Sequence, residues 1–155
     1  MTNVKTAYYN YKNGIFSIGY LENTLYLLRF SDEVTTKDSV TSEFSDEVFN
    51  KIKQYLQGKI KRIEVKIKVN ATQFQQKVWN EVSKIPYGNV KANAQIAQEI
   101  GKPNASRAVG TAHTKNPLQI IIPCHRIVKS SFNKEQPVYA DTIQKLLLET
   151  EFKHA

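Results

Sequence analysis

The sequence predicts an α/β (α+β) protein in two parts. Residues 1–69 form a small N-terminal antiparallel-sheet domain with a helix, and residues 70–155 a mostly helical domain with a winged helix-turn-helix. Three observations carry this reading. Residues 4–30 alternate polar and apolar side chains and are interrupted by two turn signals, the pattern of paired strands. From Thr72 onward the apolar spacing lengthens to the helical period. Near the end, the β-branched run Ile120-Ile121-Ile122 leads through Pro123 to Cys124, the only cysteine in the chain.

Taken in order, Asn13-Gly14 and Glu22-Asn23 divide residues 4–30 into a three-stranded meander. Ser31 to Ser45 is polar and acidic without periodicity and reads as a loop. A helix follows over Asp46–Leu56, with Val48, Phe49, Ile52, Tyr55 and Leu56 on one side and Gly58 as its stop. Residues 60–69 read as a strand or an extended linker. Thr72-Gln73-Phe74-Gln75 has the capping-box form, a hydroxyl at the N-cap and an amide three residues on. The helix it opens buries Phe74, Val78, Val82 and Ile85, with Trp79 widening the stripe, and Pro86-Tyr87-Gly88 closes it. Ala92, Ile96, Ala97 and Ile100 mark a shorter helix that ends at Gly101-Lys102-Pro103. Asn104 caps a third, whose inner face is Ala105, Ala108, Val109 and Ala112. These two helices make the helix-turn-helix. Asn116-Pro117 turns the chain into a strand over 118–122, residues 129–141 form an exposed loop, and Asp141 or Thr142 begins the last helix.

Composition narrows the function. One cysteine excludes an intramolecular disulfide, and with only His113, His125 and His154 beside it a zinc-ligand cluster is not expected. There is no apolar stretch of membrane-spanning length, and Met1-Thr2-Asn3-Val4-Lys5 does not lead into a signal-peptide core, so a cytoplasmic protein is expected. The formal charge of +8 is concentrated: between Lys77 and Lys129 eight basic residues face only Glu81 and Glu99. A polyanion such as nucleic acid is the natural partner of such a face, and a solvated lysine-rich surface is its ordinary alternative.

The third helix has an unusually bare outer face. Arg107, Gly110, Thr111 and Thr114 recur at helical spacing beside Ser106, so one long cation stands among small side chains. Major-groove readers use long polar side chains, which are missing here. A bare helix with one arginine suits the minor groove, with Arg107 as the wedge. A lone cysteine is most often a small buried hydrophobe. Its sequence neighbours His125 and Arg126 can pull it toward thiolate if the fold brings them to the sulfur. In the last helix Ile143, Leu147 and Glu151 share one stripe. A carboxylate on a buried stripe needs a partner, and His125 suits it, because a carboxylate on one ring nitrogen leaves the other to accept a proton from the thiol.

The segments F-Q-Q-K-V-W, I-P-Y-G, S-R-A-V-G-T-A, N-P and I-I-I-P-C-H-R-I-V, in this order from Phe74 to Val128, resemble the methylated-DNA–protein-cysteine methyltransferases. The resemblance implies irreversible, single-turnover transfer of an alkyl group from O6-alkylguanine in double-stranded DNA, and from O4-alkylthymine, to Cys124 of a monomeric protein, with no cofactor. It implies Cys124 as acceptor, His125 as the base reaching the thiol through water, Glu151 as the carboxylate orienting it, and Asn116 as a brace. It also implies Arg107 as the finger replacing a flipped nucleotide, with Ala105, Ser106, Ala108 and Gly110 at the minor groove. Tyr139, Val128 and Pro123 would line the alkylguanine pocket. Two departures stand out. Where the family has a tyrosine that pushes the target nucleotide's phosphate, this chain has Asn93. Where a glycine pair follows the pocket tyrosine, it has Ala140-Asp141-Thr142 in a segment about two residues shorter. Two rival readings are a damage sensor that flips the base without transfer, whose members replace the cysteine, and a transcriptional regulator with an incidental thiol.

Overall fold

The computed structural model describes residues 3–33 and 38–155, so part of the loop expected over 31–45 lies outside the described residues. The chain divides into two compact units, Met1–Val69 with Pro117–Ile121, and Asn70–Asn116 with Ile122–Ala155.

The first unit is built on strands β1 (Lys5–Tyr11), β2 (Gly14–Leu21) and β3 (Thr24–Ser31), an antiparallel meander in that order. Lys12 and Glu22 take positive φ values of 52° and 55° at the two hairpin turns. Gly14 is already in β2, paired with Tyr11. It serves close approach rather than the turn, since a Cβ there would sit 2.2 Å from the Phe30 ring. Helix α1 (Glu43–Leu56) starts three residues before the expected Asp46 because Ser42 and Ser45 cap it reciprocally, each hydroxyl accepting the other's backbone N–H. Its Val48, Ile52 and Tyr55 are buried with Phe16 and Ile18 of β2.

Both edges of the sheet are capped in part by residues from outside the meander. Along β1, Val40 N donates to Thr6 O at 2.9 Å and Tyr8 N to Ser39 Oγ at 2.9 Å. Along β3, Leu25 exchanges bonds with Lys66 O and Lys68 N, so residues 60–69 form a single bridge at Ile67 and no strand. Further along β3, Leu28 exchanges bonds with Pro117 O and Gln119 N, and the Gln119 side chain accepts from Phe30 N at 2.8 Å.

That pairing corrects two expectations. Residues 117–121, placed by the sequence in the second domain, belong to the first unit. The strand expected over 118–122 is one bridge at Leu118 followed by turns, because Ile120 adopts a φ of +74° that breaks any ladder. For a β-branched residue this is a strained backbone, held by the bonds on its N-terminal side.

The second unit is helical. Helix α2 (Gln73–Val82) opens on the expected capping box, Thr72 Oγ1 accepting from Gln75 N and Gln75 Oε1 from Thr72 N. Val78, Trp79, Val82 and Ile85 are buried, whereas Phe74 is half-buried beneath Lys102, whose Nζ lies 5.5 Å from the ring centroid. The Trp79 indole donates to Ala112 O at 3.1 Å and ties α2 to α4. Strand β4 (Lys91–Ala92) runs parallel to β5 (Ile127–Val128) beside the helix-turn-helix of α3 (Asn93–Glu99) and α4 (Ser106–Thr114). Asn104 does not cap α4: a turn closed by Ala105 N on Lys102 O makes Ala105 the N-cap, without a side-chain bond. Val109 and Ala112 form the buried face, and Ala108, expected there, is exposed. A 3₁₀ turn (Cys124–Arg126) and α5 (Thr142–His154), capped by Asp141, complete the unit.

Candidate active site

Cys124 opens the 3₁₀ turn, so it follows an irregular loop rather than a strand exit. The turn is pinned from behind: Asn116 Nδ2 donates to Ile122 O at 2.8 Å, and Cys124 N donates to the same carbonyl at 2.7 Å. Asn116 is buried and its side chain also hydrogen-bonds to the Cys124 thiol, which favours the thiolate. Burial opposes this and wins, pushing the thiol up to about 12. The expectation of a thiol drawn toward thiolate by its basic neighbours is therefore corrected. Both neighbours turn instead to Glu151.

Glu151 is fully buried on α5 in line with Ile143 and Leu147. Its Oε2 lies 2.5 Å from His125 Nε2 and accepts from Arg126 Nη2 at 3.2 Å. Its Oε1 accepts from Arg126 Nε at 2.8 Å and from Gly88 N at 3.1 Å. Arg126 also donates to Ile85 O at 2.8 Å and stacks over the Tyr87 ring, 5.8 Å from its centroid. Because an ionised carboxylate only accepts, Nε2 carries the imidazole proton, and the lone pair is on Nδ1. Nδ1 is buried and meets no hydrogen-bond partner among the described residues. Burial holds the imidazole below the usual histidine range, against the opposing pull of Glu151. Burial thus favours the neutral form of both the thiol and the imidazole, and Nδ1 is left as an open acceptor among the described residues. A neutral imidazole with an open acceptor can take the proton of a thiol as it attacks.

Sequence reasoning missed what Arg126 and the I-P-Y-G segment do. The segment reads as a helix stop, yet it supplies Ile85 O to Arg126 and Gly88 N to Glu151. The signal was available, since a buried glutamate needs more charge compensation than one imidazole gives.

The remaining predicted residues lie elsewhere in the second unit. Pro123 is buried just ahead of the turn, Val128 is half-buried in β5, and Tyr139 is half-buried with its ring 6.2 Å from that of Phe132. On α4, Arg107 and Ala108 are exposed, while Ser106, Gly110 and the N-cap Ala105 are half-buried. Asn93, the first residue of α3, faces Gly110: a Cβ on that glycine would lie 3.3 Å from Asn93 Nδ2. Asn93 Oδ1 is buried with no hydrogen-bond partner among the described residues. No cluster of His, Cys, Asp and Glu suited to a metal occurs among the described residues.

A family model described as 6-O-methylguanine DNA methyltransferase, DNA binding domain, matches residues 73–153. The chain belongs to this family. The methylated-DNA–protein-cysteine methyltransferase of Methanosarcina acetivorans is 44% identical over 86 residues, 56% of this chain and 55% of that protein. The inducible enzyme of Bacillus subtilis is 49% identical over 77 residues, 50% and 43% of the two chains. The matched region thus spans about half the length of these two curated relatives. Among solved structures, the O6-methylguanine methyltransferase of Mycobacterium tuberculosis superposes with a TM-score of 0.81 at 29% identity, covering 98% of this chain and 94% of that one. The same protein in complex with DNA matches equally, over 97% and 94%. No helix among the described residues is long and apolar enough to cross a membrane.

Proposed function

We propose that this protein repairs DNA by direct reversal, moving the alkyl group of O6-alkylguanine onto Cys124 in a reaction each molecule performs once. The observation that carries the reading is the buried Cys124–His125–Glu151 arrangement, with Nδ1 of His125 open and Nε2 fixed on the carboxylate. The O6 atom is shielded in the duplex, so the nucleotide must first leave the stack, at a cost of a few kcal/mol. The sulfur then attacks the alkyl carbon. The S–C bond forms, the C–O6 bond breaks, and the thiol proton passes to His125 Nδ1 and on to the guanine that departs. Glu151 stabilises the transient imidazolium. The thioether has no easy reversal, and no second cysteine is present to relieve the first.

DNA is held through the exposed face of α4 in the minor groove, with Arg107 filling the space of the flipped nucleotide and the small residues Ala105, Ser106, Ala108 and Gly110 allowing close approach. The protein works as a cytoplasmic monomer, and Tyr139, Val128 and Pro123 line the base pocket.

Incubation with excess O6-methylguanine duplex should yield one equivalent of product and one methyl mass increment on the peptide containing Cys124. Product several-fold above protein, or an unmodified Cys124 peptide, would overturn the assignment, and lesion binding without transfer would make the protein a sensor. Arg107→Ala is expected to keep most of the salt-sensitive DNA affinity while slowing repair of the duplex and leaving the reaction with free O6-benzylguanine alone. An unchanged duplex rate would reduce Arg107 to a surface charge.

Asn93 adds a third expectation. Its amide is turned against Gly110 and gives a phosphate little push, so flipping is the slow step in duplex. Asn93→Tyr should accelerate duplex repair several-fold with little effect on O6-benzylguanine. Equal changes in both rates, or none in either, would free Asn93 of that role.

A further inference from the structure

Gln144, in the first turn of α5, is 7% exposed, and the chemistry proposed above leaves it without a task. Its carboxamide bonds only to backbone. Nε2 donates to His125 O at 3.2 Å and to Ile127 O at 2.9 Å, and Oε1 accepts from Ala140 N at 2.6 Å. Its own backbone N–H donates to Asp141 Oδ1 at 2.9 Å. One side chain therefore joins three stretches of chain: the turn that bears Cys124 and His125, the residue after Tyr139, and the helix that carries Glu151.

Two physical arguments make this more than space filling. A buried carboxamide must have its bonds satisfied, and ordering a glutamine removes more rotamer freedom than ordering an aliphatic residue. Beside Ile143, Leu147 and Leu148 an apolar side chain would fill the volume more simply. Secondly, residues 129–141 contain no helix or strand, and the backbone bonds inside the loop, Phe132 N to Lys129 O and Gln136 N to Asn133 O, are local turns. Local turns cannot fix where the loop's end lies relative to Cys124. The bond from Ala140 to Gln144 can, because the same amide holds the turn.

We infer that Gln144 is a positioning residue for alkyl transfer: its carboxamide sets the spacing between the turn carrying Cys124 and His125 and the segment carrying Tyr139. The inference rests on the proposed transfer and on Tyr139 as a pocket residue. The two halves of the amide act on different constants. The bond to Ala140 shapes the pocket and hence half-saturation, whereas the bonds to His125 and Ile127 hold the reacting turn and hence the saturating rate.

The test is single-turnover alkylation of the full chain by O6-benzylguanine over a range of concentrations, for the parent, Gln144→Met and Gln144→Glu, below the melting temperature of each. Gln144→Met removes every side-chain bond, and should raise the half-saturating concentration and lower the saturating rate, each about tenfold. Gln144→Glu keeps an acceptor for Ala140 N but loses the donors. It should lower the saturating rate by a similar factor and move half-saturation by less than threefold, a split that loss of stability alone does not produce. If either variant fails to fold, the other still decides. A folded variant with both constants within twofold of the parent, or with both shifted equally by Gln144→Glu, overturns the inference. A parent that takes no benzyl group overturns the proposed transfer instead, so the two failures are distinct.

Discussion

Glu151→Gln should all but abolish alkyl transfer and destabilise the protein by about 3–5 kcal/mol, the usual cost of removing one member of a buried ion pair. Both carboxylate oxygens accept hydrogen bonds, Oε1 from Gly88 N and Arg126 Nε, Oε2 from His125 Nε2 and Arg126 Nη2. An amide has one acceptor atom, so its NH₂ must face donors wherever it is placed. The one relief is for His125 to move its proton to Nδ1 and accept at Nε2, and that tautomer cannot take a proton from Cys124. The alkylation rate should therefore fall about 10²- to 10⁴-fold, the share a positioned base contributes. Denaturant unfolding and O6-benzylguanine kinetics measure the two effects. Replacing the pair together, Glu151→Leu with Arg126→Met, should recover much of the stability and none of the rate. A Glu151→Gln protein that reacts at the parent rate would remove the carboxylate from the mechanism.

His125→Phe should cost a comparable factor and change the shape of the pH profile. In the parent, burial raises the thiol to about 12, and burial also holds the imidazole below its ordinary value of 6.5. Neither group titrates between pH 7 and 9, so the rate with O6-benzylguanine should be flat there. It should fall only below pH 6.5, where the imidazole gains a proton and stops acting as a base. The sign for stability is the same: the unfolded histidine binds its proton before the folded one, so stability falls as pH drops through the unfolded value. Without His125 the thiol must ionise by itself, and the residual rate should climb about tenfold per pH unit across pH 7 to 9. A parent rate that climbs in that way would mean that a thiolate formed in advance carries the reaction.

Part of this site is legible in the sequence because Glu151 sits on a periodic element. The capping pair Thr72 and Gln75 fixes where α2 begins, and the stripe Ile143, Leu147, Glu151 places a carboxylate on a buried face. The contact of Glu151 with His125 follows from that stripe, whereas the acceptor and base roles proposed for Cys124 and His125 follow from the resemblance. The failures arise where tertiary contacts outweigh local pattern. Ile120-Ile121-Ile122 has the composition of a buried strand, yet Pro117 and Gln119 bond to β3 and the chain then turns at Ile120. Ala108 satisfies helical spacing and is nevertheless exposed, since composition does not say how wide a buried stripe is. The convergence of Arg126 and Gly88 on one carboxylate joins residues 25 and 63 positions from Glu151 respectively, beyond the reach of any periodicity.

The partly capped edges of the small sheet bear on how such a protein persists. On the proposed reaction each molecule is useful only while it waits, so a cell needs a standing stock of unreacted copies, folded and dispersed. Open strand edges are where copies of one protein add to each other and are lost to aggregates. Here β1 is covered by Ser39 and Val40, and β3 by Lys66, Lys68, Pro117 and Gln119. Both edges of the meander are thus capped in part among the described residues, and under the proposed reaction the waiting thiols are protected by hydrogen bonds made outside the active site.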